Sequence, residues 1–178
     1  MKGGNNINKK IRKLLLISIA FVLIACGAKK KEVNLTKDGT PFEYANVSMI
    51  VPKQFKEDTN LDSTHVKARF SHDEDYLLLR IDEILENNKE EELVELFRIE
   101  VESLGASIVS NAKVTLSNGD SCYEIVAKRG NEQIKYLVLF EENRRYCLKY
   151  VTSVDRYDEQ IIDMDKYLYT FTVKERGE

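Results

Sequence analysis

The apolar positions follow three successive rhythms along the chain, and each predicts a different kind of element. Residues 42–51 alternate loosely, as a strand with one covered face does, and Pro52 closes the stretch because it has no backbone donor. Residues 66–70 predict a short strand. Residues 76–84 predict a stronger one, in which Leu77, Leu78 and Leu79 in succession imply cover on both faces. The rhythm then changes: Leu93, Leu96, Phe97, Val101 and Leu104 recur at helical spacing, with Glu92, Glu95, Arg98 and Glu102 opposite them. Gly105 follows, where a helix commonly stops in the left-handed region. Alternation returns in 109–116, 121–128, 133–140 and 145–152, separated by turn residues that include Asn118-Gly119 and Gly130. This predicts a four-stranded antiparallel meander. If Lys128 pairs with Gln133 and Phe140 with Arg145, the register of its last three strands is set. Tyr157, Ile161, Met164 and Leu168 mark a second helix with Asp155 as its cap, and residues 170–173 end the pattern as an apolar clasp.

Strands, helix, meander, helix is the order of an α+β domain with one antiparallel sheet flanked by helices, spanning 42–174. The early run Val47, Ser48, Met49, Ile50, Val51, Pro52 with Phe55 resembles the PsbP-like sandwich. So do the mid-chain helix, the hairpin at Gly119 and the late Phe171. That resemblance implies an α/β/α sandwich, and, from the roles of its members, an assembly or interaction module. A cystatin-like or lipoprotein-carrier-like half barrel is the alternative fold.

Ahead of the domain the pattern is of another kind. Lys2, Lys9, Lys10, Arg12 and Lys13 precede the uncharged stretch 14–25, which Lys29, Lys30 and Lys31 follow. A basic head and a short apolar run form the layout of a secretory signal, and the run is shorter than the ~20 residues a spanning helix needs. It ends in Leu23, Ile24, Ala25 and Cys26, which resembles the lipobox of bacterial lipoproteins. The resemblance implies cleavage between Ala25 and Cys26, a diacylglycerol on the Cys26 thiol, and a lipid anchor on the extracytoplasmic face of the cell membrane. Residues 1–25 are then the signal, and 26–41 a lipidated Cys with a flexible, Lys-rich tether.

Composition narrows the function. The 178 residues are 43% hydrophobic, enough for a core. Net charge is −3, but five of the 27 basic residues and none of the 30 acids lie in 1–25, so removing that stretch takes it to −8. Such a domain has no electrostatic case for nucleic acid, and acyl chains rather than basic patches would hold it at a membrane.

Candidate chemistry is sparse. Cys122 and Cys147 fall on strands separated by a third and on opposite faces, too far apart for a disulfide, so free buried thiols are expected. His72, with Asp73, Glu74 and Asp75, forms a run that suits a cation or simply an acidic turn; His65 is the other histidine. Glu90, Glu91 and Glu92 suit the positive end of a helix. Tyr136, Tyr146 and Tyr150 fall on neighbouring strands, where they form either cross-strand packing or a ligand surface. No phosphate loop, nucleophile elbow or metal-ligand spacing is present, and nothing calls for a cofactor or a catalytic metal. Ile99 lies among Glu95, Arg98 and Glu102 on the helix's polar side, an apolar anchor with a charged rim. The expectation is a non-enzymatic binding or assembly module at the cell envelope with an envelope protein as partner. A small-ligand or metal-binding lipoprotein with a pocket between sheet and helix is the alternative.

Overall fold

The short turns of the meander set its geometry. In the computed structural model, which describes residues 33–61, 63–84 and 88–174, β6 (Ser107–Thr115), β7 (Ser121–Arg129), β8 (Glu132–Glu141) and β9 (Arg144–Ser153) run antiparallel in sequence order. Gly119 sits at φ +95°, a backbone that side-chain-bearing residues avoid, and this lets the chain reverse between β6 and β7. Lys128 faces Gln133 and Phe140 faces Arg145, the register the turns imply.

Two crossovers build the rest. β4 (Val66–His72) and β5 (Asp75–Glu83) form a hairpin, and β3 (Lys56–Glu57) lies outside it. Helix α2 (Glu90–Ser103) then carries the chain across one sheet face to the far edge, where β6 starts; Gly105, at φ +81°, turns the chain out of it. The meander returns until β9 pairs with β5, giving a seven-stranded sheet in the order β3-β4-β5-β9-β8-β7-β6. The second crossover, helix α3 (Val154–Leu168), covers the opposite face. β10 (Thr172–Val173) then joins β1 (Gly39–Tyr44) and β2 (Val47–Pro52) in a small sheet of order β1-β2-β10.

Alternation along the central strands divides the interior into two cores. Leu77, Leu79, Tyr146, Leu148 and Tyr150 pack with Met49 and Val51 of β2 and with Met164 and Leu168 of α3. Ile125, Ile134, Tyr136, Val138 and Cys147 pack under Val94, Phe97 and Val101 of α2. Leu77 and Leu79 are fully buried, whereas Leu78 between them is only half-buried, because α2 leaves that end of the sheet uncovered.

Three expectations are corrected. Residues 42–51 are not one strand: Ala45, at φ +52°, and Asn46 turn the chain between β1 and β2, a turn without glycine that alternation alone conceals. Residues 34–41, expected within the tether, belong to the fold instead. Asn34 caps a short helix, α1 (Leu35–Asp38), by accepting the Lys37 N–H at 3.1 Å, and Gly39 is buried against Ile50 and Tyr167. The covered arc of α2 is centred on Val94, Phe97 and Val101, while Leu96 and Leu104 are 47% and 59% exposed. At about 100° per residue those three lie within roughly 60° of each other, and Leu96 falls on the far side. The readings of residues 1–32, including Ala25 and Cys26, lie outside the described residues.

Candidate functional site

Where α2 stops short of the edge strands, a groove of about 380 Å³ opens between helix and sheet. Its floor comes from β5, β8 and β9, whose pleat sends alternate side chains to this face: Leu78 and Arg80 from β5, Tyr136 from β8, and Cys147 and Lys149 from β9. Phe97, Glu100 and Leu104 close one side from α2.

Four charges brace the groove's end. Asp82 and Arg145 face each other across the β5–β9 ladder. Arg145 donates to Asp82 through Nε at 3.1 Å and Nη2 at 2.7 Å, and its Nη1 reaches Glu100 at 2.7 Å. Arg80 repeats the bridge, with Nε to Asp82 at 2.8 Å and Nη1 to Glu100 at 3.0 Å. Two guanidiniums thus alternate with two carboxylates and tie α2 to the sheet. Burial by itself would raise the Asp82 carboxyl, but hydrogen bonds and charge from Arg145 and Arg80 outweigh it and hold it below the ordinary value. Burial would likewise lower Arg145, and its bonds to Asp82 and Glu100 raise it instead. The Arg145 guanidinium also lies 4.8 Å from the Phe97 ring centre, and Phe97 meets Tyr136 edge-on at 5.4 Å.

Lys149 differs from these neighbours. Its Nζ lies 5.5 Å from the Tyr76 ring and 5.9 Å from the Tyr136 ring, and among the described residues it pairs with no carboxylate. At the other end His65 places Nδ1 3.1 Å from Asp82 Oδ1. It also borders a second cavity of about 640 Å³ beside the β1–β2 turn, lined by Tyr44, Asn46, Lys67 and Arg144.

The opposite face holds a separate polar knot. Lys135, almost fully buried, donates to Asp165 at 2.6 Å and lies 2.9 Å from Glu124, which accepts the Tyr169 hydroxyl at 2.7 Å. Burial raises the Asp165 carboxyl, and Lys135 offsets this only in part.

The residues singled out from sequence are dispersed. Cys122 and Cys147 are free, buried and on opposite faces of the sheet; burial pushes both thiols up to about 12. The ligand surface conceived from Tyr136, Tyr146 and Tyr150 does not form, because Tyr136 faces the α2 core and the other two face the α3 core. The Tyr146 hydroxyl is bonded to Asn46 and that of Tyr150 to Gln160. His72 lies beside Phe55, 3.6 Å from Asp73, whereas Glu74 and Asp75 both turn to Arg156 of α3 at 3.2 and 2.9 Å. Among the described residues no cluster of three or more metal-ligating side chains occurs. Ile99 is 53% exposed on the outer side of α2. Sequence reasoning missed Arg80, Asp82, Glu100 and Arg145. The one local signal was the Arg80–Asp82 spacing of two, which puts both on one strand face.

A central antiparallel sheet, one helix on the first face, and a helix with a small sheet on the second define a PsbP-like sandwich; a half barrel is not what the chain forms. The solution structure of cyanobacterial PsbP (CyanoP) from Synechocystis sp. PCC 6803 superposes with a TM-score of 0.61 at 14% identity, covering 84% of this chain and 99% of that one. The Saccharomyces cerevisiae Ran-binding protein Mog1p follows at 0.53 and 9% identity, over 76% of this chain and 95% of its own. PA94 from Pseudomonas aeruginosa, a protein of unknown function, gives 0.51 at 7% identity over 78% and 99%. No protein-family model matches the sequence, and neither does any curated protein.

Proposed function

We propose that the chain is a bacterial lipoprotein, held by acyl chains on Cys26 at the extracytoplasmic face of the cell membrane. Its PsbP-like domain serves there as a non-catalytic binding or assembly module for an envelope protein. The observation that carries the reading is the run Leu23, Ile24, Ala25, Cys26, placed after a basic head and a short apolar stretch. Features of the domain favour binding over chemistry. The acids and guanidiniums at the groove's end are committed to one another, and both thiols are held protonated by burial. Mog1p, of the same fold, is by name a binding protein. The groove between α2 and the sheet favours a second reading, in which the module takes a small ligand.

Labelling of expressing cells with radioactive palmitate tests the anchor. The full chain should incorporate label and fractionate with membranes, and Cys26→Ser should lose the label and either leave the membrane or persist as uncleaved precursor. Label retained by Cys26→Ser would overturn the lipoprotein assignment.

A further inference from the structure

Among the described residues, Lys149 places a cation on an aromatic floor without a counter-ion. Its ammonium sits between the Tyr76 and Tyr136 rings and lines the groove together with Leu78, Phe97, Tyr136 and Leu104. Among the described residues Glu100 is the one carboxylate that lines this groove, and it is already bound by Arg80 at 3.0 Å and Arg145 at 2.7 Å. Counting the Lys, Arg, Asp and Glu that line it, Arg80 and Lys149 stand against Glu100, so the groove carries one surplus positive charge. That surplus is local, on a chain whose net charge is −3 even with its basic N-terminus included.

We propose that this groove binds a small organic monoanion, a carboxylate carried on an aryl or alkyl body. The body would lie against Phe97, Tyr136, Leu78 and Leu104, and the carboxylate would pair with Lys149. The inference rests on the small-ligand reading of the groove and not on the lipid anchor. Four features support this ligand class. The volume of about 380 Å³ falls within the ~300–1,000 Å³ typical of small-molecule sites. The Phe97–Tyr136 pair, edge-on at 5.4 Å, is fixed before any ligand arrives, and Arg145 against Phe97 at 4.8 Å stiffens it further. A carboxylate beside Lys149 would form a charge-assisted hydrogen bond in a partly desolvated place. A single surplus charge matches a monoanion better than a phosphate ester, which carries nearly two charges at neutral pH.

The test uses 3-phenylpropionate as probe, with 3-phenylpropan-1-ol and 3-phenylpropylamine as its neutral and cationic counterparts. Each is titrated against the detergent-solubilised full chain by saturation-transfer NMR, with empty micelles as reference. The carboxylate should bind saturably, the alcohol about tenfold more weakly, and the amine no better than to empty micelles. Lys149→Gln should weaken the carboxylate about tenfold and leave the alcohol unchanged. Leu104→Glu places an acid at a 59% exposed rim position, where folding is not at stake, and should weaken the carboxylate likewise. No binding of any probe above the micelle background would overturn the ligand groove together with its ligand class. Equal binding of alcohol and carboxylate would overturn the anion assignment while leaving a ligand groove. Undiminished carboxylate binding to folded Lys149→Gln, or to Leu104→Glu, would overturn the role of Lys149. None of these outcomes bears on palmitate incorporation at Cys26, so the two proposals fail separately.

Discussion

Arg145 grips the Oδ2 atom of Asp82 with both Nε and Nη2, at 3.1 and 2.7 Å, from directly across the β5–β9 ladder. The pair seals the junction between the hairpin that begins the sheet and the meander that completes it. Arg80 and Glu100 extend it to α2, so a single cluster links two strands and a helix. Loss of one guanidinium leaves two carboxylates sharing the other.

Arg145→Met should therefore lower stability at pH 7 by about 2 kcal/mol. This is below the ~3–5 kcal/mol for breaking a fully buried pair, because Arg80 still reaches both acids. The cluster also shapes the acid limb. Asp82 is held below its ordinary value when folded, so its contribution is complete above the unfolded carboxylate pKa of about 4. It is lost as pH falls through the depressed folded value. Urea midpoints measured from pH 7 to pH 2 should fall less steeply at the acid end for Asp82→Asn than for the parent. Parallel curves would mean that Asp82 does not couple to folding.

On the other face, Lys135 neutralises two acids at once, Glu124 and Asp165, with only 4% of its side chain exposed. Lys135→Met keeps an unbranched side chain of similar length but strands both carboxylates. It should cost about 3–5 kcal/mol at pH 7. The deficit should shrink on acidification, since Asp165, raised by burial and now without its cation, binds a proton before it does in the unfolded chain. The triple variant Lys135→Met, Glu124→Gln, Asp165→Asn should recover most of the loss. Equal melting of single and triple variants would show that the cost is one of shape and not of charge.

Cys122 and Cys147 sit on β7 and β9 with β8 between them, and they point into different cores. With burial holding both thiols protonated up to about 12, a thiol reagent at pH 8 should leave the folded chain unlabelled at these positions. In denaturant, without prior reduction, both should react. An intramolecular bridge found by mass spectrometry would contradict the register of the meander.

The elements that sequence discloses here are those bounded by short turns. Between Lys128 and Gln133, and between Phe140 and Arg145, a few residues force the pairing, so the relative faces of Cys122 and Cys147 follow from counting. The pairing of Asp82 with Arg145 spans 63 residues, and nothing local connects them. Their juxtaposition arises because β9 returns to β5 after α2 has carried the chain to the far edge, a matter of topology. The cluster, the groove and the place of Lys149 on its aromatic floor stay hidden for that reason. On α2 the difficulty is of another sort. Leucines outnumber the smaller Val94 in the heptad-like pattern, yet Val94 takes the inner position, and Leu96 and Leu104 are left to the groove rims and solvent.

That arrangement of α2 sets the last prediction. Phe97 is 3% exposed and Ile99 is 53% exposed, two residues apart on one helix. Phe97 fills the core beneath α2, meets Tyr136 and carries Arg145 on its ring, so Phe97→Ala should cost about 3–5 kcal/mol and loosen the helix from the sheet. Ile99→Asp should stay within about 0.5 kcal/mol of the parent, since the side chain already meets water and Glu95 and Arg98 on that side pair with each other at 2.7 Å. Leu96, 47% exposed, lies one turn before Ile99, so the two form a small apolar ridge with a charged border. If an envelope protein docks on this ridge, crosslinking in membranes should recover that protein with the parent chain and much less of it with Ile99→Asp, at unchanged melting temperature. A large fall in melting for Ile99→Asp would place it in the core. Unchanged melting with unchanged recovery would remove the ridge as the docking surface.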